Sequence, residues 1–195
     1  MKTIAVIGTF DTKGKEFQYI KDQIEARGMK TLCIHTGVFE PLFTPDVSNA
    51  EVAAAVGADI GKLVAQKDRA TATDTMSRGL AAPLPQLYAQ GKLDGAISAG
   101  GSGGTSMAAP AMRALPIGVP KVIVSTMASG NVSQYVGTSD LVLVPSIVDV
   151  EGLNDISRQV FTNAVNMICG MLHFPSVIEK DGKPLLAATM FGVTT

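Results

Sequence analysis

Tryptophan is absent from this 195-residue chain, and aromatic residues supply only 5% of it against 46% hydrophobic residues overall. The core must therefore be built from Val, Ile, Leu, Ala and Met, which suits strands covered by helices on both faces. An excess of one charge is lacking too. Sixteen Lys and Arg stand against 17 Asp and Glu, for a formal net charge of −1, and no basic cluster breaks that balance, which argues against a nucleic-acid partner. No apolar run approaches the length of a membrane span. The opening MKTIAVIG has too short an apolar stretch for a secretory signal. Cysteine is scarce, with Cys33 and Cys169 in apolar runs and no CxxC spacing. Buried free thiols in a reducing cytoplasm are expected. The two histidines form no HExxH or Cys/His cluster, so zinc has no support. No GxSxG elbow marks a serine hydrolase. The turn after the first apolar run lacks GxGxxG, and the second run ends in His35-Thr36 where a dinucleotide fold carries an acid.

What is present is alternation. Short apolar runs at residues 3–8, 31–35, 95–99, 122–125 and 141–144 read as strands, separated by helical patterns. Helices are expected over about 13–27, from Ser48 or Asn49 to Gly57, and from Thr71, which stands at capping-box spacing from Asp74. Pro83 and Pro85 break or kink that stretch before it resumes over 86–90. A helix running to about Leu115 should bend at Pro110, and a long helix over 154–171 buries Ile156, Val160, Phe161, Ala164, Ile168 and Met171. The pattern predicts an α/β fold of doubly wound type, Rossmann-like or flavodoxin-like. Its mostly parallel sheet has five to six strands with helices on both faces. A final run, Leu185–Gly192, follows a polar turn and repeats the form of the first strand. Residues 1–180 are accordingly expected to form one subdomain, and 183–195 to open a second α/β subdomain; an added sixth strand is the alternative.

The strongest motif is Ser98-Ala-Gly-Gly-Ser-Gly-Gly-Thr-Ser106. It leaves a strand and opens a helix, where unpaired N–H groups and the positive dipole end favour an anion. Four glycines in five positions let phosphate oxygens approach backbone without a Cβ between, and Ser102 and Thr105 add hydroxyls. After the first strand comes Gly8-Thr-Phe-Asp-Thr-Lys-Gly14-Lys15. Its spacing fails the P-loop count, and Glu16 stands where the metal-binding hydroxyl belongs. Lys13 nevertheless suits a phosphate beside Thr9 and Thr12, and Asp11 suits Mg²⁺; Asp11 or Thr12 equally suits a helix cap. Ser125–Asn131 follows the fourth strand and supplies a third polar loop on the same sheet edge. Asp149 and Glu151 follow the fifth, either at the site edge or as helix-start charges. His35 is expected to be a satisfied strand-end residue.

Together, Ile7–Gly14, Gly100–Thr105 and Met112–Lys121 resemble the uncharacterised family 0261, to which a tomato mosaic virus resistance protein belongs. Ser125–Gly130, Tyr135–Gly137, Ser139-Asp140 and Gly152–Asn154 extend the likeness. The resemblance implies an ATP-binding, Rossmann-like first subdomain, a second α/β subdomain and a homodimer. It assigns nucleotide contacts to Thr9, Asp11, Thr12, Lys13, to Gly100, Gly101, Ser102, Gly103, Gly104, Thr105, and to Thr126, Ser129 and Gly130. The chain departs from the family pattern at Phe10, at Asp155, where Arg is usual, and at Pro83, Pro85 and Pro110. The leading expectation is an ATP-binding subdomain of a two-domain cytosolic protein, with Mg²⁺ accompanying the nucleotide and no reaction assigned. A non-catalytic, nucleotide-dependent regulator or interaction module is the alternative, and a receptor-like domain for a small metabolite is a second.

Overall fold

The computed structural model describes residues 1–175. The run at 185–192 and the second subdomain expected there lie outside the described residues. Within them the order is β1 (Thr3–Gly8), α1 (Gly14–Glu25), β2 (Lys30–His35), α2 (Asn49–Ala54), α3 (Ile60–Gln66), α4 (Arg69–Ala81), α5 (Pro83–Ala89), β3 (Gly95–Gly100), α6 (Ser102–Arg113), β4 (Lys121–Ser125), α7 (Ser133–Val136), β5 (Val142–Pro145) and α8 (Asp155–His173).

All five strands are parallel and lie in the order β2-β1-β3-β4-β5. The sheet is therefore doubly wound, as the alternation predicts. Strand period two splits the side chains between two cores. On one face Ala5, Ile7, Ala96 and Ile123 pack under α2, α4 and α6 through Val52, Met76, Leu80, Met107 and Met112. On the other, Ile4, Val6, Ile97, Val122 and Val124 meet Phe17, Ile20 and Ile24 of α1 and Phe161, Val165 and Ile168 of α8. Both cysteines are free and buried, and burial pushes the Cys33 thiol up to about 11, well away from reactivity. No described helix is long and apolar enough to cross a membrane.

Several local expectations are corrected. Thr71 does not cap α4. Asp68 does, accepting from the N–H groups of Ala70 and Thr71, while Asp74 pairs with Arg78 at 2.8 Å. Helix α3 has no counterpart in the sequence reading. Pro83 breaks the stretch as expected, with α4 ending at Ala81 and α5 opening on Pro83, because its missing N–H and fixed φ fit a first-turn position. Pro110 lies inside α6, as the sequence places it. Its absent N–H leaves the Ser106 carbonyl without its helical donor, and the Ser77 hydroxyl approaches that oxygen at 3.5 Å and the Met107 carbonyl at 3.1 Å. In α8, Ile156 is 49% exposed, and the buried stripe runs through Ser157, Phe161, Ala164, Val165, Ile168, Cys169 and Leu172. A reciprocal box sets that register: Asn154 Oδ1 accepts from Ser157 N–H at 2.9 Å, and Ser157 Oγ accepts from Asn154 N–H at 2.8 Å. An Asn154→Ala chain is expected to lose about 1 kcal/mol of stability, measured by urea unfolding; an unchanged midpoint would show that packing alone fixes the helix start.

Candidate functional site

The strand order reverses between β1 and β3, since the chain moves to one side after β1 and to the other after β3. Ligands in open α/β sheets sit at that crevice. A cavity of about 1020 Å³ lies there, lined by Thr9, Asp11, Thr12 and Lys13 after β1, by residues 36–39 after β2 and by Gly100–Gly104 after β3. Helices α3 and α4 and the β5 exit complete the wall, the latter through Asp149 and Glu151.

The glycine turn divides into two jobs. A Cβ on Gly100 would lie 3.1 Å from Gly104 Cα, and one on Gly104 would lie 3.4 Å from the Ala99 oxygen. These two glycines let α6 start tightly against the end of β3. A Cβ on Gly101 would find nothing nearer than Thr126 Oγ1 at 3.6 Å, and one on Gly103 nothing nearer than Arg69 Nη2 at 3.7 Å. That space belongs to the cavity. Gly101 is the N-cap and has no side chain to satisfy the first turn. Thr105 N–H donates to the Gly101 oxygen at 3.0 Å, but among the described residues the N–H groups of Ser102, Gly103 and Gly104 have no acceptor. Three donors and the dipole's positive end are thus left at the cavity wall.

The β1 loop is held from within. Thr9 oxygen accepts from Thr12 and Lys13 N–H, and the Thr12 hydroxyl donates to Thr9 Oγ1 at 3.0 Å. Lys13 is the N-cap of α1 and no side chain caps that helix, so the capping role expected of Asp11 or Thr12 is not the one taken. Asp11 instead bridges loops: Oδ1 accepts from Thr12 N–H at 2.7 Å and Oδ2 from Phe39 N–H at 3.1 Å. Each oxygen keeps a lone pair. Among the described residues no three His, Cys, Asp or Glu side chains form a metal cage. Asp11 alone offers a divalent cation a single ligand group, so phosphate and water would have to supply the rest.

His35 is fully buried and satisfied, as expected of it. Nδ1 accepts from Phe10 N–H at 3.1 Å and Gly37 N–H at 3.3 Å, and Nε2 donates to the Phe39 oxygen at 2.9 Å. With two N–H groups aimed at Nδ1, the tautomer that satisfies both sides carries its proton on Nε2, and Nδ1 also lies 3.4 Å from the Gly8 oxygen. His35 therefore joins the β1 loop to the β2 loop.

Charge on the wall is mixed but mostly spoken for. Asp11, Asp68 and Asp149 each accept backbone N–H, and Glu151 lies 3.7 Å from Lys13 Nζ. Lys67 and Arg69 have no ion-pair partner among the described residues. Neither they nor Thr36 and Phe39 stand out in the sequence, because nothing there announces that the β2 exit, α3 and the start of α4 reach the crevice. Of the residues that the sequence does single out, Thr105, Thr126, Ser129 and Gly130 do not line the cavity. Thr105 is fully buried, donating to the Gly101 oxygen at 2.8 Å and lying 2.6 Å from Ser125 Oγ, where it locks α6 to β4. Thr126 borders the turn beside Gly101, while Ser129 and Gly130 are exposed.

The family model of the uncharacterised protein family (UPF0261) N-terminal domain matches residues 2–176. A UPF0261 protein of Clostridium tetani is 46% identical over the whole chain, which spans 48% of that relative. In Solanum lycopersicum, the ToMV susceptible protein tm-1(GCR26) is 36% identical over 97% of the chain and 28% of its own length. The ToMV resistance protein Tm-1(GCR237) is 46% identical over 65% of the chain and 18% of its own. The chain spans about half the length of the bacterial relative. With its doubly wound sheet and its glycine turn at the switch point, the chain belongs to family UPF0261, whose N-terminal domain it matches.

Proposed function

We propose that this domain binds ATP, with the phosphates against the Ser102–Gly104 N–H groups and Lys13, and with Mg²⁺ carried in on the phosphates and met by Asp11. The observation that supports this reading is the set of three unpartnered N–H groups on the wall of the switch-point cavity. Lys13 offsets phosphate charge from the opposite loop, and Asp11, fixed by two backbone donors, presents its free lone pairs without reorganising. Thr126 contributes from beside Gly101, while Ser129 and Gly130 lie outside the cavity lining and are assigned no contact. The whole protein in this reading is cytoplasmic, dimeric and two-domained, with the second α/β subdomain following the domain described.

A second reading is a nucleotide-dependent interaction module without turnover. The relative named as a ToMV resistance protein favours it.

Calorimetric titration of the chain with ATP, ADP, NAD and inorganic phosphate, with and without Mg²⁺, tests the reading. ATP is expected to bind more tightly than phosphate, and Asp11→Asn to remove the gain from Mg²⁺ while sparing metal-free binding. If a folded sample binds none of the four, the nucleotide reading is wrong.

A further inference from the structure

The phosphate cradle accounts for only part of the cavity. The wall built by the β2 exit, α3, α4 and α6 is largely apolar, with Val38, Leu63, Val64, Met76 and Met107 facing the space. Met76 is fully buried and Leu63 and Met107 are 7% exposed, so this wall is backed by the core. Two further residues there have properties that the fold alone does not call for.

Phe39 is 58% exposed and lines the cavity. An exposed Phe usually rides on a loose loop, but this one is held at both ends. Its N–H donates to Asp11 Oδ2 at 3.1 Å, and its oxygen accepts from His35 Nε2 at 2.9 Å and Asn49 Nδ2 at 3.3 Å. An aromatic face on a fixed backbone pays little ordering entropy when a ring stacks on it. Thr36 is the converse. It is 2% exposed and its N–H is bonded to the Gly8 oxygen, yet its hydroxyl has no hydrogen-bond partner among the described residues. Every fully enclosed polar side-chain atom described does have a partner, so this hydroxyl opens to the cavity that Thr36 lines. It sits at the exit of the second strand, where dinucleotide folds place the group that meets a ribose.

We infer that the β2–α3–α4 wall is a nucleoside subsite, with Phe39 the stacking face for the base and the Thr36 hydroxyl the partner of the sugar. The inference rests on the phosphate reading above and extends it to the rest of the ligand. A hydroxyl both donates and accepts, as a sugar hydroxyl requires. Unlike the acid of a dinucleotide site, it adds no negative charge beside a triphosphate. The continuity of the apolar wall with the anion cradle in one cavity makes the occupant the remainder of the same molecule.

The test is titration of the parent chain, Phe39→Ala, Thr36→Val and Thr36→Ser with ATP and with inorganic tripolyphosphate. The parent is expected to bind ATP roughly tenfold or more tighter than tripolyphosphate. Phe39→Ala should weaken ATP by about tenfold and Thr36→Val by about fivefold. Thr36→Ser should hold near the parent, and tripolyphosphate affinity should not change in any variant. Because Phe39 is exposed, its replacement leaves the fold intact. As the chain has no Trp, Phe39→Trp adds a single tryptophan, excitable apart from the three tyrosines, whose quenching by ATP, and not by tripolyphosphate, reads the stack directly. Equal affinity of the parent for both ligands, or unchanged ATP affinity in both Phe39→Ala and Thr36→Val, overturns the subsite while leaving the phosphate cradle standing. Failure of the parent to bind either ligand overturns both.

Discussion

A Gly103→Asp chain is expected to fold as stably as the parent and to lose ATP affinity by a factor on the order of 100. Among the described residues a Cβ at Gly103 would meet only Arg69 Nη2, at 3.7 Å. An acid in the first turn of a helix is favoured by the dipole by roughly 0.3–1 kcal/mol, and replacing a helical glycine removes an entropic cost of similar size. Stability therefore holds or rises slightly. The same carboxylate would stand over the free N–H groups, accept from them, and repel an incoming phosphate. Losing even two hydrogen bonds to a charged ligand, at roughly 1.5–3 kcal/mol each, is enough for the stated factor. Gly100→Ala should do the opposite kind of damage, since its Cβ would lie 3.1 Å from Gly104 Cα and push α6 off the strand end. Urea unfolding and calorimetry on the two variants separate the roles. A Gly103→Asp chain that binds ATP like the parent would remove the glycine turn from the site.

That contrast also shows what a sequence discloses and what it hides. The five strands are legible because each is a short apolar run between turn residues, and parallel order follows once helices intervene. The glycine turn is legible because clustered glycine at a strand exit has few other physical uses. Which glycine packs and which leaves space depends on the approach of α6 to β3, and that distance is not written in the residue types. Thr105 illustrates the same limit: its hydroxyl looks available in the motif, yet the fold turns it to Ser125. Helix α3 is hidden for another reason. Its apolar stripe of Ile60, Leu63 and Val64 spans barely one turn and only Leu63 is buried, too short a period to mark a helix, and with it go Val64 and the neighbouring Lys67 of the cavity wall. The cap of α4 moves from Thr71 to Asp68 because a carboxylate three residues earlier accepts both first-turn N–H groups. The shifted stripe of α8 has a comparable origin, since the capping box buries Ser157 and swings Ile156 outward.

The largest loss of stability is expected far from the cavity, at the opposite end of β4. The Lys121 side chain is fully buried, and all three of its ammonium protons have acceptors: Pro116 oxygen at 2.7 Å, Val119 oxygen at 2.8 Å and Asp140 Oδ1 at 2.7 Å. Asp140 Oδ2 in turn accepts from Gly118 N–H at 2.7 Å, so one ion pair staples the loop before β4 to the entry of β5. Asp140→Ala strands a buried ammonium without its counter-charge and is expected to cost about 3 kcal/mol. Lys121→Met should cost less, because Asp140 is 36% exposed and can turn to water. Burial pushes the Asp140 carboxyl upward, but the Lys121 hydrogen bond, the Gly118 N–H and the lysine charge outweigh it and hold the group below the usual carboxylate range. The sign follows from that direction. The pair's contribution is complete above the unfolded carboxyl value of about 3.9 and is lost as pH falls through the lower folded value. The stability gap between the parent and Asp140→Asn should therefore be flat above about pH 5 and close in stronger acid. ATP affinity should be equal in the two chains at neutral pH, because the staple lies at the end of the sheet remote from the switch point. A gap that stays open at the acid end, with the carboxyl protonated, would mean that the carboxylate's charge is not what holds Lys121, whereas no gap at neutral pH would mean that hydrogen bonding by a neutral side chain suffices.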